Sequence, residues 1–450
     1  MPDGVSLRNF VLGRTAGLLG EAGGVTVWAD PSLPVPDIPL EDGTWDTLDA
    51  YPERLAEASL RRTLEYAHLR ALDTPGSRFV LALPIPGRRR SQGLRYIART
   101  ASRPFGTPSG VERLVRVHDA LAARRPEVDV AARRLAEVAP DVVLCAHQRP
   151  LPVLPVILAA RRLGIPTATF VFSWDNLTTK GRMAAPFDHF LVWSPHMADE
   201  LLRFYPDVSA ERVHVVGTPQ FDPYADPTHP STRAELAESL GLDPSRPIVC
   251  FTAGDAGTCP DDPYHLSVLL EVVRSGEIPG RPHVVLRTAP VDTGHRFDEV
   301  RSQYPELVDA APRWSHDPTG QWHAVYPTRD DIVALSTLTA RSDVNVNMAS
   351  TMSIDFALRD TPVVNVGFDR DSTGHRAESY YRFTHYRPVV ELGAVRVAAT
   401  PAELATHVST YLREPGLDRD GRRAIVDLEL GVPIGESSAA VVAALESISR

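Results

Sequence analysis

The chain has 450 residues, 43% hydrophobic and 23% charged. That is room for two or three domains, and too well mixed for a disordered, collagen-like or coiled-coil polypeptide. A formal charge of -10 disfavours wholesale binding to nucleic acid or to an anionic membrane surface.

Lys180 is the only lysine among 47 basic residues, and there are 40 prolines. A GC-rich coding sequence explains both biases, but it makes the single ammonium worth locating. Cys145, Cys250 and Cys259 are too few and too scattered for a disulfide framework. Without a CxxC or a Cys/His cluster, no metal site is expected. The opening MPDGVSLRNF lacks the basic and apolar regions of a signal peptide. The most apolar stretch, 152–160, is far short of the roughly 20 residues that span a bilayer. The expectation is a reduced, cytoplasmic chain.

Short β-branched runs alternate with helical patterns. Strands are predicted at 25–29, 141–146, 167–172, 190–193 and 213–217. After a Pro/Asp/His-rich joint at 222–231 they resume at 247–253, 283–288, 343–348 and 362–368. Amphipathic helices are predicted at 156–164, 234–242, 331–342, 403–414 and 437–450. Thr400, Pro401 and Glu403 form a helix-start signature. Apolar strands alternating with helices imply an α/β chain with parallel sheets covered on both faces. The expected domains are 1–222 and 223–436, each doubly wound, with helix 437–450 packing back on the first. In such sheets ligands bind at the carboxyl ends of the strands, so two opposed sheets would enclose a cleft.

Several chemistry-bearing residues fall just after strands. The run 167–172 leads into Ser173, Trp174, Asp175, Asn176, Leu177, Thr178, Thr179 and Lys180. A carboxylate, a carboxamide, hydroxyls and a cation suit a cleft wall. The alternative is a capped strand-to-helix connection with a solvated lysine. His147 and Arg149 follow the run 141–146, where a histidine suits a general base near neutral pH. In the second half, Ser350 and Thr351 stand at a helix start, which favours phosphate, and Asp355 lies one turn on to meet a ribose. Asn347 precedes them, and plain capping by Ser350 is the alternative. Thr252 and Gly254 follow another strand, where glycines let backbone approach a diphosphate. Arg287 suits a phosphate clamp or, equally, a structural ion pair. Arg88, Arg89, Arg90, Arg95, Arg99 and Arg103 are expected in a solvated loop, or in one reaching an anionic substrate or membrane surface.

The segments FSWDNLTTKG, VHVVGTPQFD (213–222) and SDVNVNMASTMSIDFALRDTPVVNVGFD (342–369) resemble GT-B glycosyltransferases. The branch is that of CDP-glycerol glycerophosphotransferase-like and surface-carbohydrate enzymes, related to UDP-N-acetylglucosamine 2-epimerases. The resemblance covers about residues 140 to 450. It implies two Rossmann-like domains, a nucleotide-activated donor on the second and an acceptor on the first. By position, Ser350 and Thr351 match the phosphate-contacting turn and Asp355 the acidic residue at the donor ribose. Gly217, Thr218 and Pro219 match the turn into the interdomain linker.

Two departures stand out. Such proteins normally open with a β-strand, whereas here a helical pattern begins almost at once. Many also carry His-Pro where this chain has Thr288-Ala289-Pro290.

The expected reaction is metal-independent transfer from a nucleoside-diphosphate sugar to a small-molecule or glycan acceptor, with no separate cofactor. Ser350/Thr351, Arg287 and Lys180 would neutralise the departing diphosphate. His147 or Asp175 would take the acceptor proton if configuration inverts. Donor-side residues are Thr252, Gly254, Arg287, Asn347, Ser350, Thr351 and Asp355; acceptor-side residues are Arg149, Trp174 and Asn176. The rivals are a CDP-glycerol-type phosphotransfer and a non-catalytic nucleotide-sugar-binding protein. An ammonium is a compact point charge that a planar guanidinium does not reproduce. Lys180→Arg should therefore lower turnover of a nucleotide-sugar donor while leaving the melting temperature nearly unchanged.

Overall fold

The computed structural model describes residues 1–33, 38–40, 42–85, 89–315, 325–370 and 376–450. The chain divides into two compact units. Unit 1 comprises 1–220, 383–385 and 429–450, and unit 2 comprises 221–382 and 386–428.

Unit 1 contains β1 (Val25–Ala29), β2 (Gly43–Thr47), β3 (Val143–Cys145), β4 (Thr167–Phe170), β5 (His189–Val192) and β6 (Val213–Val215). β3 to β6 form one parallel sheet in sequential order, whereas β1 and β2 form a separate parallel pair. Between β2 and β3 the chain is helical, with helices at Leu55–Leu72, Pro75–Ala82, Arg89–Ala101, Pro108–Ala122 and Pro126–Val138. The arginine-rich run expected as a loop is therefore a helix from Arg89 onward. Its Arg, Gln and Ala content explains this, since those residues lose little freedom in a helix. Arg88 lies outside the described residues. Arg99 is not solvated freely: its Nη1 donates to the Leu83 carbonyl at 3.3 Å.

Unit 2 contains β7 (Ile248–Thr252), β8 (His283–Arg287), β9 (Val308–Asp309), the hairpin strands β10 (Trp314–Ser315) and β11 (Tyr326–Pro327), then β12 (Val344–Asn347), β13 (Val363–Val366) and β14 (Arg396–Ala398). Its main sheet runs β14-β13-β12-β7-β8-β9, all parallel. Counted from β7 that is the doubly wound order 3-2-1-4-5-6, with the switch point between β7 and β12. Every residue of β7, β12 and β13 is buried. Helices cover both faces, which is why these runs are continuously apolar or amide-bearing rather than alternating. Thr400 caps Pro401–Arg413 by accepting from Glu403 N at 3.1 Å. Glu403 returns its carboxylate to Ala399 N at 2.8 Å, one residue before the position a capping box uses.

The C-terminal segment belongs to unit 1. Gly431 N donates to the Trp193 carbonyl at 2.8 Å, and Thr15 Oγ1 donates to Ser438 Oγ at 2.9 Å. Gly217, after β6, has φ +71, and a Cβ there would lie 2.6 Å from Ser437 Oγ and against Val432. Both backbone angle and space demand glycine.

Two carboxyl groups are buried where this segment meets the helix Pro195–Phe204. Glu200 is 7% exposed and Glu429 2%. Burial raises Glu200 to about 8, only partly opposed by Arg203. Burial and the neighbouring Glu200 raise Glu429 to about 8. Both acids bind protons more tightly folded than unfolded, so their contribution is fully present below the unfolded carboxyl range. It is lost as pH rises from about 4.5 towards 8. Glu429→Gln should flatten this decline and raise the melting temperature at pH 8 by about 3 °C, measured by calorimetry across pH 5 to 8.

Candidate functional site

In unit 1 the carboxyl ends of β3 and β4 are stitched together by Gln148. Its Oε1 accepts from Phe172 N and its Nε2 donates to Asn176 Oδ1, each at 3.0 Å. Between these bonds sits His147, 7% exposed and stacked on Phe172 with ring centroids 3.9 Å apart at 11°. Its Nδ1 lies 2.6 Å from Asp3 Oδ2. Asp3 also caps the first helix by accepting from Ser6 N at 2.8 Å. Burial alone would raise the Asp3 pKa; the hydrogen bond and charge of His147, with Ser6, outweigh it and hold the carboxyl below its ordinary value. An ionised Asp3 fixes the proton on Nδ1 and leaves the lone pair on Nε2. That Nε2 is buried and has no hydrogen-bond partner.

The segment after β4 forms a second cluster. Asp175 Oδ2 pairs with Lys180 Nζ at 3.0 Å, and its Oδ1 accepts from Asn176 Nδ2 at 2.9 Å. Burial opposes ionisation of Asp175, but Lys180, His385 and Ser173 together hold it far below the ordinary carboxylate range. A carboxylate so stabilised is a weak base, so Asp175 does not fit the proton-accepting role expected of it. Lys180 is 41% exposed, which leaves ammonium donors for a further anion.

Trp174 is 3% exposed and meets His385 edge-on at 5.1 Å. His385 is lowered to about 4 by burial and by Lys180, against the pull of Asp175, and is neutral at pH 7. Its Nδ1 lies 3.2 Å from Thr178 Oγ1. Asn176 is buried and holds this cluster to Gln148 rather than opening towards an acceptor. Arg149 stands elsewhere, lining a cavity of about 230 Å³ with Arg61, Glu65, Arg182 and Arg212.

In unit 2 the residues flanking the switch point are organised by a buried amide ladder. Asn345 Nδ2 donates to Thr252 Oγ1 at 3.0 Å, and Asn347 Nδ2 donates to Asn345 Oδ1 at 2.6 Å. Asn365 Nδ2 donates to Asn347 Oδ1 at 2.9 Å, and Tyr386 Oη donates to Asn365 Oδ1 at 2.8 Å. Thr252 and Asn347, expected to touch a donor, are thus fully buried rungs of this ladder. Asn347 Oδ1 accepts from Ser350 N at 3.1 Å, and Ser350 Oγ accepts from Met352 N at 3.2 Å. The turn is therefore set from beneath. It includes Ala349 at φ +46, an uncommon angle for a residue with a Cβ. Thr351 follows in right-handed helical geometry, and the helix Met352–Ala357 is six residues long.

Three further candidates have partners within the protein. Gly254 N donates to Asp262 Oδ2 at 2.7 Å and its carbonyl accepts from Arg296 Nη2 at 2.6 Å. A Cβ there would lie 2.5 Å from Cys259 Sγ, which by itself requires glycine. Arg287 Nη2 donates to both oxygens of Asp331, at 3.0 and 2.9 Å, with Arg287 6% exposed. Asp331 also accepts from Arg313 N at 2.7 Å and Trp314 Nε1 at 2.6 Å. Arg287 thus makes the buried ion pair that was one of its two expected roles. Asp355 accepts from Tyr224 Oη at 2.5 Å and is 8% exposed.

Among the described residues no group of three or more His, Cys, Asp or Glu side chains is placed to hold a metal ion. No helix among them is long and apolar enough to cross a membrane.

Asp3, His385, Asp331 and Tyr224 were not legible beforehand. Each meets its partner across a long loop of sequence: 144 residues separate Asp3 from His147. The one available signal for His385 was its place in FTHY (383–386), which no local pattern distinguished.

No protein-family model and no curated protein matches the chain. Solved structures do. The Staphylococcus aureus MnaA–UDP complex aligns over 72% of this chain and 78% of its own, at 15% identity and a TM-score of 0.43. The wall teichoic acid polymerase TagF aligns over 69% and 73%, at 13% identity and 0.45. UDP-GlcNAc 2-epimerase from Neisseria meningitidis bound to UDP-GlcNAc aligns over 71% and 80%, at 13% identity and 0.47.

Removing one partner of a buried, fully bonded ion pair leaves the other charge uncompensated. Arg287→Ala should therefore cost about 3–5 kcal/mol of unfolding free energy, read from the urea midpoint. A phosphate clamp would instead lose ligand affinity at unchanged stability.

Proposed function

We propose that this protein is a GT-B-type transferase that moves a sugar from a nucleoside-diphosphate sugar to a hydroxyl-bearing acceptor. The observation that carries this reading is the buried Asp3–His147 pair with an unpartnered Nε2 at the carboxyl end of β3. In an inverting transfer the acceptor O–H gives its proton to Nε2 as its oxygen bonds to the anomeric carbon. The bond from that carbon to the diphosphate breaks, and the diphosphate leaves with the electron pair. Asp3 is a positioning residue: it fixes the tautomer and stabilises the imidazolium that forms. Asp175, held ionised by Lys180, takes no proton.

Unit 2 is assigned the donor. Open α/β sheets take ligands at the switch point, here flanked by Gly254–Thr258 after β7 and Ala349–Thr351 after β12. In this reading no metal or separate cofactor takes part.

Screening UDP, GDP, dTDP and CDP for thermal stabilisation tests the nucleotide requirement, since binding to the folded state raises the melting temperature. One diphosphate should stabilise; stabilisation by CDP alone would favour glycerophosphate transfer, and none at all would sink the reading. With the stabilising donor, His147→Ala should lower kcat about 10²–10⁴-fold. Asp3→Asn should lower kcat and move the acid limb of its pH profile, whereas a merely structural Asp3 would leave that limb in place.

A further inference from the structure

Arg149 follows β3 two residues after His147, yet it lines a cavity of about 230 Å³ whose walls do not include His147. That cavity is built from the helix Leu55–Leu72, the segment leading into β5 and the segment that ends the helix Pro195–Phe204. Five guanidinium groups line it against three carboxylates, in a chain whose formal charge is -10. Positive charge is therefore concentrated here against the overall sign of the molecule.

Most of these guanidiniums are fixed in advance. Arg61 Nε and Nη2 donate to the two oxygens of Glu53, at 2.7 and 2.9 Å. Arg212 Nη2 donates to the Phe187 carbonyl at 2.7 Å. Arg161 and Arg212 share a single carboxylate, Asp188, at 3.6 and 3.8 Å. Arg182 pairs with Asp207 at 2.7 Å and lies over the Tyr205 ring, 4.6 Å from its centre. Arg149 is the lining guanidinium with no carboxylate partner among the described residues. Burial raises the Tyr205 phenol, and the charges of Arg182 and Arg149 both oppose that rise, so the two stand near one ring. The segments that carry them are tied together where the Gln148 carbonyl accepts from Ala184 N at 2.8 Å.

We propose that this cavity binds a phosphate-sized oxyanion, held by Arg149 and Arg182 with Arg61 and Arg212 supplying the surrounding positive field. A planar guanidinium gives two parallel hydrogen bonds to one edge of such an ion, and several arginines from different segments match its several oxygens. Arginines already locked by carboxylates, carbonyls and a ring lose little freedom when the ion arrives. The volume sets the class of ligand: it falls below the roughly 300–1,000 Å³ of sites for drug-sized molecules, which excludes a whole nucleotide. The ion is either free phosphate or the phosphoryl group of a small ester. The inference does not depend on the proposed reaction.

The test titrates the full chain with inorganic phosphate and with methyl phosphate, each against sodium chloride at equal ionic strength. Melting temperature and heat of binding are read. Phosphate should stabilise the protein where chloride does not, since it binds the folded state. Arg149→Gln should weaken phosphate binding about tenfold while leaving the melting temperature without phosphate unchanged, whereas Lys180→Gln should bind phosphate as the parent chain does. Binding of both compounds supports a phosphate ester as ligand; binding of inorganic phosphate alone supports the free ion. Stabilisation no greater than that by chloride overturns the site, as does equal phosphate affinity in the Arg149→Gln protein.

Discussion

In both main sheets every strand runs the same way, so each must be followed by a crossover that carries the chain back to the opposite edge. That requirement decides most of the architecture. It gathers all carboxyl ends on one edge of each sheet, and it covers both faces with helices. The strands are then buried on both sides and must be apolar or fully hydrogen-bonded. β7 meets the demand with Ile, Val, Cys and Phe. β12 meets it differently, placing two asparagines in a buried ladder closed by Thr252, Asn365 and Tyr386. A buried amide is tolerated only when its bonds are made, so the ladder ties β7, β12 and β13 in one register. The Ser350 turn inherits its position from that ladder through Asn347.

The same logic sorts the polar groups near the strand ends by their partners. Buried polar groups need partners, and most of those near the strand ends have found them inside the protein. Arg287 is held by Asp331, Asp355 by Tyr224, and the Gly254 backbone by Asp262 and Arg296. His147 is only half engaged. One nitrogen is engaged by a carboxylate and the other is buried with nothing to bond. An orphaned polar atom is costly, and the proposed reaction rests on this one.

Much of the fold was legible because parallel strands leave a strong trace: short β-branched runs between helical patterns. β1 matches its predicted run, and the central strands fall within theirs, trimmed by a residue or two, except β5, which begins one residue early at His189. The strands that were missed, β2, β9, β10, β11 and β14, are short or lie at edges. GTWDT carries too few apolar residues to signal a strand, and its pairing with β1 is what makes it one. The arginine-rich helix at 89–101 was misjudged because its charge outweighed its helix-forming residues.

Local composition by itself determined the α/β class, the positions of the central strands and the placing of His147, Asp175 and Lys180 just beyond strand ends. Those are properties of contiguous segments, set by periodicity and turn chemistry. Only the tertiary structure decided which of these groups remain available, because their partners lie far along the chain. Asp3 reaches His147, His385 reaches Asp175 and Lys180, and Asp331 reaches Arg287. The lone lysine illustrates the division. Its address after β4 was written in the sequence, but its ion pair with a strongly acidic Asp175, which turns that carboxylate from a base into a fixed charge, exists only once the chain has folded.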